Sequence, residues 1–421
     1  YNYKNKYFLN GAIRADGSSR LAKGKQWAFF PSGGVGWSLK DEDFLSGTEW
    51  VSALKARFSY GTVGNTAISP YQTLSSLTQD KYLWGEGDSD KFYVYYPGSI
   101  INLDLGWEIS RTINAGLDFG FLNNKLNGYI EFYNTKTSDL LMNRAIPTFT
   151  GFNEIWQNIG KTQNKGFEFN LNYAPVRTKD LNIDFTFNAS RNWEKILELI
   201  SGEDLPNNKW FIGEPLSVLY NYEKLGVWQY GEEEDAAKYN ASVGDLKIKD
   251  QDGDGTISAV KDRVILGQER PKWIASLGAN IQYKNFDFSF NINSRWGYSF
   301  NLAPFNDVVL DGQRWLPAVD YWTPDNPTNN YPKADQSNGW DTYRSANGYQ
   351  KGDHIKLQDV TVGYSFDKLL SKTFIKKARF YVQLRNVAYL YKATDFGIMP
   401  EAPDMNYTIP SSYNFGVNVT F

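Results

Sequence analysis

The chain has 421 residues, 47 acidic against 44 basic side chains, a formal net charge of −3 and no cysteine, which excludes disulfides, thiolate metal centres and cysteine nucleophiles and leaves no basic field for nucleic acid. Mean hydropathy is −0.51 and no run of about 18 apolar residues occurs, so a membrane-spanning helix is excluded. Aromatics reach 16%, with 14 Trp, 28 Tyr and 27 Phe, a share that suits aromatic girdles or a surface handling carbohydrate or peptide.

The length admits two or three soluble domains or one large barrel. Apolar and polar side chains alternate with period two, the mark of strands with one apolar and one polar face. Tyr7, Leu9 and Ile13 share a face of residues 3–14. Strands follow at 28–38 and at 52–62, where Leu54, Ala56 and Phe58 oppose Lys55 and Arg57. Next come 107–119 and 125–137, the latter with Leu126, Ile130 and Phe132 against Asn127, Glu131 and Tyr133. Residues 158–174 set Phe167, Phe169 and Leu171 against Glu168, Asn170 and Asn172. Residues 181–193 set Ile183, Phe185 and Phe187 against Asp184, Thr186 and Asn188. Residues 273–283 lead into 286–297, where Phe286, Phe288, Phe290 and Ile292 face away from Asp287, Ser289, Asn291 and Asn293. Strands at 353–366, 378–391 and 411–421 complete twelve. The last is the most regular: Tyr413, Phe415, Val417, Val419 and Phe421 alternate without a break with Asn414, Gly416, Asn418 and Thr420.

Such a strand fits a soluble sandwich or an outer-membrane barrel, and the connections decide between them. Turns near Asn123-Asn124, Val176 to Asp180, Lys284-Asn285 and Asp367 to Lys377 are short; 63–106, 138–157, 298–352 and 392–410 are long and rich in Gly, Pro, Asn, Asp and Trp. Short turns at one rim and long loops at the other are the asymmetry of an outer-membrane barrel. Each strand also meets the about 9–11 residues that a tilted membrane strand needs. Strand parity is consistent when 194–272 lies wholly outside the cell, with the apolar stretch 217–230 as a non-spanning hairpin or loop segment; the alternative is that 217–230 spans with a further partner strand, but no third strict alternation is there to pair with it. The chain opens on Tyr1 without a signal peptide, as a processed or partial product would.

A series of short motifs carries a family resemblance. In order they are Tyr7-Phe8-Leu9 before Arg14–Ser19 (RADGSS), Phe30–Trp37 (FPSGGVGW), Leu54–Asn65 (LKARFSYGTVGN), and Trp107-Glu108 with Asn114–Gly120 (NAGLDFG). Then come Leu126-Asn127-Gly128 through Tyr133, Asn158-Ile159-Gly160 with Asn164–Glu168 (NKGFE), the Asp-rich loop at 250–255, Leu357–Tyr364, Ala378–Asn386 and the final Phe421. Together they resemble the carboxyl-terminal part of a SusC/RagA-type TonB-dependent outer-membrane transporter. The resemblance implies an all-β, antiparallel transmembrane barrel of about 22 strands, of which residues 1–421 supply about the last 12. It also implies an amino-terminal plug and a TonB-contacting segment, neither of which lies in these residues. A SusD-like surface lipoprotein would form the lid, a glycan or peptide would be the ligand, and the outer membrane of a Gram-negative bacterium the location.

The sharpest local motif is Asp250–Ile257 (DQDGDGTI). Asp at loop positions 1, 3 and 5, Gly at 6 and a carbonyl at 7 form the first half of an EF-hand-like loop, whose oxygen ligands suit a hard cation. Position 12 is Lys261 rather than an acid, and Asp262 follows one place later. The family closes this loop with an Asp-Arg pair, which Asp262-Arg263 reproduces. The expected structural Ca2+ site is therefore Asp250, Asp252, Asp254, Thr256 and Asp262; an Asp/Gly-rich turn is the plain alternative.

Candidate ligand contacts are the loop aromatics Trp84, Tyr93, Tyr95, Tyr96, Trp315, Trp322 and Trp340, foremost Trp84, Tyr95, Trp315 and Trp340, because aromatic faces stack on sugar rings and pack on peptides. The plain alternative is that most of them pack the loops together. His354, the single histidine, reads as a wall residue, and Asp41-Glu42-Asp43 as helix-capping acids. No segment points to catalysis, so the reading is an importer of an oligomeric nutrient rather than an enzyme. The alternatives are a non-transporting adhesion barrel and a secreted glycan-binding β-protein.

Overall fold

The computed structural model describes residues 1–74, 77–83, 91–200, 202–302, 320–333, 343–366, 375–394, 398–403 and 408–421. Thirteen strands form one antiparallel sheet in which each pairs with its neighbours in sequence. They are β1 (Asn2–Tyr3), β2 (Tyr7–Gly17), β3 (Trp27–Ser38), β4 (Val51–Asn65), β5 (Glu108–Phe121), β6 (Leu126–Ser138) and β7 (Lys161–Arg177). β8 (Leu181–Glu198), β9 (Trp273–Tyr283), β10 (Phe286–Trp296), β11 (His354–Ser365), β12 (Lys377–Lys392) and β13 (Ser412–Thr420) complete it.

The twelve expected strands are all present, with two shifts at their starts. Residues 3–14 are not one strand: Lys4 and Asn5 take positive φ (54° and 55°), and the tight turn they make pairs Tyr3 with Tyr7. The strand expected from 158 starts at Lys161, because Glu154–Asn158 pairs with Leu141–Ala145 in a separate ribbon and Gly160 turns the chain at φ 94°. Residues 217–230 stay outside the sheet as expected: Val218–Tyr222 pairs with Arg263–Gln268, and Lys224–Val227 with Leu246–Ile248.

The pairing register sorts side chains into adjacent ladders. Phe415, Val382, Val362, Phe288, Ile281 and Ile183 lie side by side across six strands. One residue away run Asn414, Gln383, Thr361, Ser289, Asn280 and Asp184. The apolar ladders are bare: Phe415 is 79% exposed and Ile13 73%. Among the described residues, clusters of buried apolar side chains instead form around Tyr298, Tyr222 and Leu21, in the connections beyond the strand ends. A two-faced sheet whose apolar face is exposed among the described residues is built for lipid.

Aromatics gather at both ends of the strands. At the long-loop rim Trp296 stacks on Tyr391, and the Arg191 guanidinium lies over the Trp193 and Trp273 rings. At the short-turn rim Phe286 meets Tyr364, and Trp50 stacks on Phe121. The eleven residues of β9, from Trp273 to Tyr283, extend about 34 Å at about 3.4 Å per residue. A tilt of about 40° projects this to about 26 Å, which matches the about 25 Å apolar band of an outer-membrane barrel.

The connections are sorted as expected. Turns at 4–6, 39–50, 122–125, 178–180, 284–285 and 366–376 share one rim; 18–26, 66–107, 139–160, 199–272, 297–353 and 393–411 share the other. Leu122, Asn123 and Asn124 are all left-handed (φ 55°, 59°, 59°), which lets the β5–β6 turn stay short. Glu42 does not cap the helix at Asp43–Ser46. Its carboxylate accepts from Tyr7 OH (2.5 Å), Trp37 Nε1 (3.1 Å) and Lys6 Nζ (3.3 Å), cross-linking two strands at their base instead.

Above the long-loop rim, residues 202–272 fold against the connection after β10. Tyr222, Leu246, Ile248 and Ala346 share a core with Ile257 and Tyr343. Asn221 donates to Ser345 Oγ (2.9 Å) and Tyr349 OH (3.0 Å). This lobe carries the Asp-rich loop.

Candidate functional site

Gly253 and Gly255 take positive φ (73° and 84°), and the tight turn this permits gathers acids that are two residues apart. Carboxylate oxygens of Asp250, Asp252 and Asp254 lie within 4.8 Å of one another. Asp250 accepts the Gly253 and Gly255 amides (2.7 and 2.8 Å). Thr256 donates its amide to Asp254 Oδ1 (3.0 Å) and its hydroxyl to the same oxygen (2.6 Å). Lys261 donates to Asp254 Oδ2 (2.6 Å) and lies 2.9 Å from Asp252 Oδ2. The Lys261 ion pair and the Thr256 hydrogen bonds hold the Asp254 carboxyl down at about 2, and Asp254 and Asp252 hold the Lys261 ammonium above its ordinary range.

Asp262 stands apart from this trio. It is fully buried and accepts the Gln251 amide (2.8 Å) and the Ser258 amide (2.6 Å), so it clasps the two ends of the loop. The donor set therefore suits a hard cation at three carboxylates, while Lys261 supplies the positive charge there in this structure.

Of the aromatic candidates, Trp84, Trp315 and Trp340 lie outside the described residues. Tyr93, Tyr95 and Tyr96 are exposed on a two-stranded ribbon of Lys91–Pro97 paired with Leu77–Leu83. Trp322 is not a surface contact: it is 6% exposed and packs on Tyr230 (ring centroids 5.5 Å) inside the lobe.

One group was not foreseen from the sequence. At the mouth of the polar face, His354 and Lys356 of β11 are buried, at 0% and 3% exposure. Glu401, from the connection before β13, takes a hydrogen bond from Lys356 Nζ, and Tyr389 OH donates to the same carboxylate oxygen (3.1 Å). His354 Nδ1 bonds the Gly352 carbonyl (2.8 Å), and its Nε2 stands 4.0 Å from Glu401 Oε1. Burial pushes the Glu401 carboxyl up, but the hydrogen bond and charge of Lys356 pull it further down, so it stays below its ordinary range. His354 is a wall residue, as expected. Lys356 sits on the polar face of a legible strand, but its partner is 45 residues away, and no local pattern marks it.

Comparison with known proteins settles the family. The family model "TonB dependent receptor-like, beta-barrel" matches residues 1–387. The chain belongs to this TonB-dependent receptor β-barrel family, and it is of the SusC/RagA type. TonB-dependent receptor P26 of Formosa agariphila is 32% identical, aligned over all of this chain and 45% of the relative. TonB-dependent receptor SusC of Bacteroides thetaiotaomicron is 30% identical, over all of this chain and 43% of its own. The structure of the RagAB peptide transporter superposes on the whole chain with a TM-score of 0.81 at 24% identity, using 46% of that chain. This TonB-dependent receptor barrel chain thus spans just under half the length of these relatives. The family is an outer-membrane one, and no helix among the described residues is long and apolar enough to cross a membrane.

Proposed function

We propose that residues 1–421 form the carboxyl-terminal sector of an outer-membrane transporter barrel that imports an oligomeric nutrient, glycan or peptide. Import is driven through TonB, acting on the amino-terminal part of the protein, and a SusD-like lipoprotein forms the lid. The observation that carries the reading is the sheet itself, with adjacent apolar and polar ladders between two aromatic rims and a folded lobe above one of them. β13, and the length of β2 beyond its short pairing with β1, have no further strand partner among the described residues, as a sector completed by other strands requires. The relatives are receptors and transporters, and the proposed role involves no covalent chemistry.

The test is uptake by cells of labelled starch hydrolysate and labelled casein hydrolysate, with and without TonB, together with the masses of whatever co-purifies from outer membranes. TonB-dependent uptake and a co-purifying lipoprotein support import. Ligand binding without TonB-dependent uptake moves the reading to an adhesion barrel. A protein soluble without detergent moves it to a secreted glycan-binding protein.

We propose further that Asp250, Asp252 and Asp254, with the Thr256 carbonyl, hold Ca2+ when Lys261 swings away, the ion stiffening the lobe. Asp262 contributes by fixing the loop ends. Tyr95, with Tyr93 and Tyr96 beside it, is the proposed aromatic contact for ligand among the described residues; Trp84, Trp315 and Trp340 keep that role as proposals from sequence.

A further inference from the structure

Between the ends of β9 and β10 and the base of the lobe lies a cavity of about 310 Å3. That is at the small end of the about 300–1,000 Å3 range of small-molecule sites. Charged side chains of both signs line it: Glu214, Asp353, Lys272 and Lys351. Asp353 uses one oxygen to accept the Gly297 amide (2.6 Å), which fixes the rim of the cavity. The side chains of Glu214, Lys272 and Lys351 make no hydrogen bond or ion pair among the described residues.

Several other charges of the lobe and rim are paired. Arg270 pairs with Glu194 (3.2 Å), Lys249 with Glu223 (3.1 Å) and Lys247 with Glu232 (2.6 Å). In this concave wall, charges of opposite sign share one space without closing on each other. The complement of such a wall is a molecule that brings both a carboxylate and an ammonium. A neutral sugar would call for aromatic faces, yet the single aromatic in the described lining is Tyr298. Its hydroxyl is already turned to His354 Nδ1 (3.2 Å) and the Pro400 carbonyl (3.3 Å).

We propose that this cavity is a subsite for a zwitterionic, peptide-type ligand. Lys272 and Lys351 take its carboxylate, and Glu214 and the free oxygen of Asp353 take its ammonium. The proposal rests on the import reading and narrows the cargo to molecules with charged ends.

The test uses the full-length protein purified in detergent with its co-purifying partners. Equilibrium binding of radiolabelled trialanine is compared with N-acetyl-trialanine amide and maltotriose, in wild type, Glu214→Gln and the double variant Lys272→Gln/Lys351→Gln. Heat-modifiable gel mobility confirms that each variant is folded. The expected result is at least tenfold weaker binding when both ends are blocked. Glu214→Gln should lose discrimination against acetylation, and the double variant discrimination against amidation. Three outcomes overturn the subsite: wild type that does not bind trialanine, equal binding of free and blocked peptide, or variants that match wild type. TonB-dependent uptake of either hydrolysate keeps the import reading standing when the subsite fails; its absence for both removes that reading independently.

Discussion

Lys261 donates to Asp254 across 2.6 Å from the loop position where a calcium loop places its acidic closing ligand. The ammonium lies against two of the three carboxylates that a cation would need, so metal binding has to displace it. Lys261→Gln should therefore tighten Ca2+ binding at least several-fold, and Asp250→Asn should abolish it, as read by calorimetric titration. The Asp254 carboxyl, held at about 2, stays ionised from pH 4 upward, so the difference between wild type and Lys261→Gln should not change between about pH 5 and 8. Equal affinities in wild type and Lys261→Gln would mean that Lys261 does not compete with the ion, and binding by neither would leave the loop an ordinary Asp/Gly turn.

Much of this was legible in the sequence because lipid and lumen impose period two on every strand. The alternation of Phe286 to Asn293 gives the register partners their faces before any contact is known. What stayed hidden depends on sequence-distant pairing. Glu42 looks like a capping acid locally, and only the β2–β3 pairing that sets Tyr7 opposite Trp37 makes it a cross-link. β2 starts later than the alternation predicts, because Lys4-Asn5 turns the chain without the glycine that normally announces a left-handed turn. Trp322 looks like a surface aromatic in a long loop, and its burial follows from the packing of two connections far apart in the chain. The Asp trio was readable because its spacing is local, whereas Glu214, Lys272 and Lys351 share a cavity that no spacing encodes.

The two ladders predict an asymmetry between adjacent residues of β11. Val362, in the apolar row, meets lipid toward the short-turn rim, two residues before Tyr364, and Val362→Arg should cost about 1–2 kcal/mol, between the about 2–4 kcal/mol of an arginine at the midplane and the about 0–1 kcal/mol near the interface. Thr361→Arg, one residue away on the polar row, should cost little. Urea unfolding in lipid vesicles, followed by tryptophan fluorescence, measures both. Similar losses for the two variants would contradict the assignment of faces.

Glu401 pins the connection before β13 to Lys356 on the sheet. Glu401→Gln leaves a buried ammonium without its counter-charge, which should cost about 3–5 kcal/mol, whereas Lys356→Met with Glu401→Leu should lose much less. The observable is the opening free energy of the Ala402 amide, which donates to Met399 O (2.9 Å), measured by hydrogen exchange. The carboxyl is depressed in the fold. Its contribution is therefore complete above the ordinary carboxylate value of about 4.3 and disappears as pH falls through the lower folded value. Protection corrected for intrinsic rate should hold from pH 7 to pH 5 and fall only in stronger acid. Equal protection in wild type and Glu401→Gln would remove the pin.

Lys224 makes a pH prediction of the same sign in the alkaline range, within the lobe. Its ammonium donates to the Asn330 carbonyl and to Asn347 Oδ1 (2.6 Å) and lies over the Tyr331 ring (5.1 Å). No carboxylate among the described residues pairs with it. Burial pushes its pKa down to about 8 from 10.5. Between those values the unfolded chain binds more protons at this side chain than the folded one does, so stability rises with pH across the window. Below pH 8 the group is charged in both states and contributes no slope. Lys224→Met removes the titration. Urea midpoints of wild type and variant at pH 7, 8, 9 and 10.5 should therefore diverge progressively in favour of wild type above pH 8. A constant gap across that range would mean that Lys224 titrates as an ordinary surface lysine.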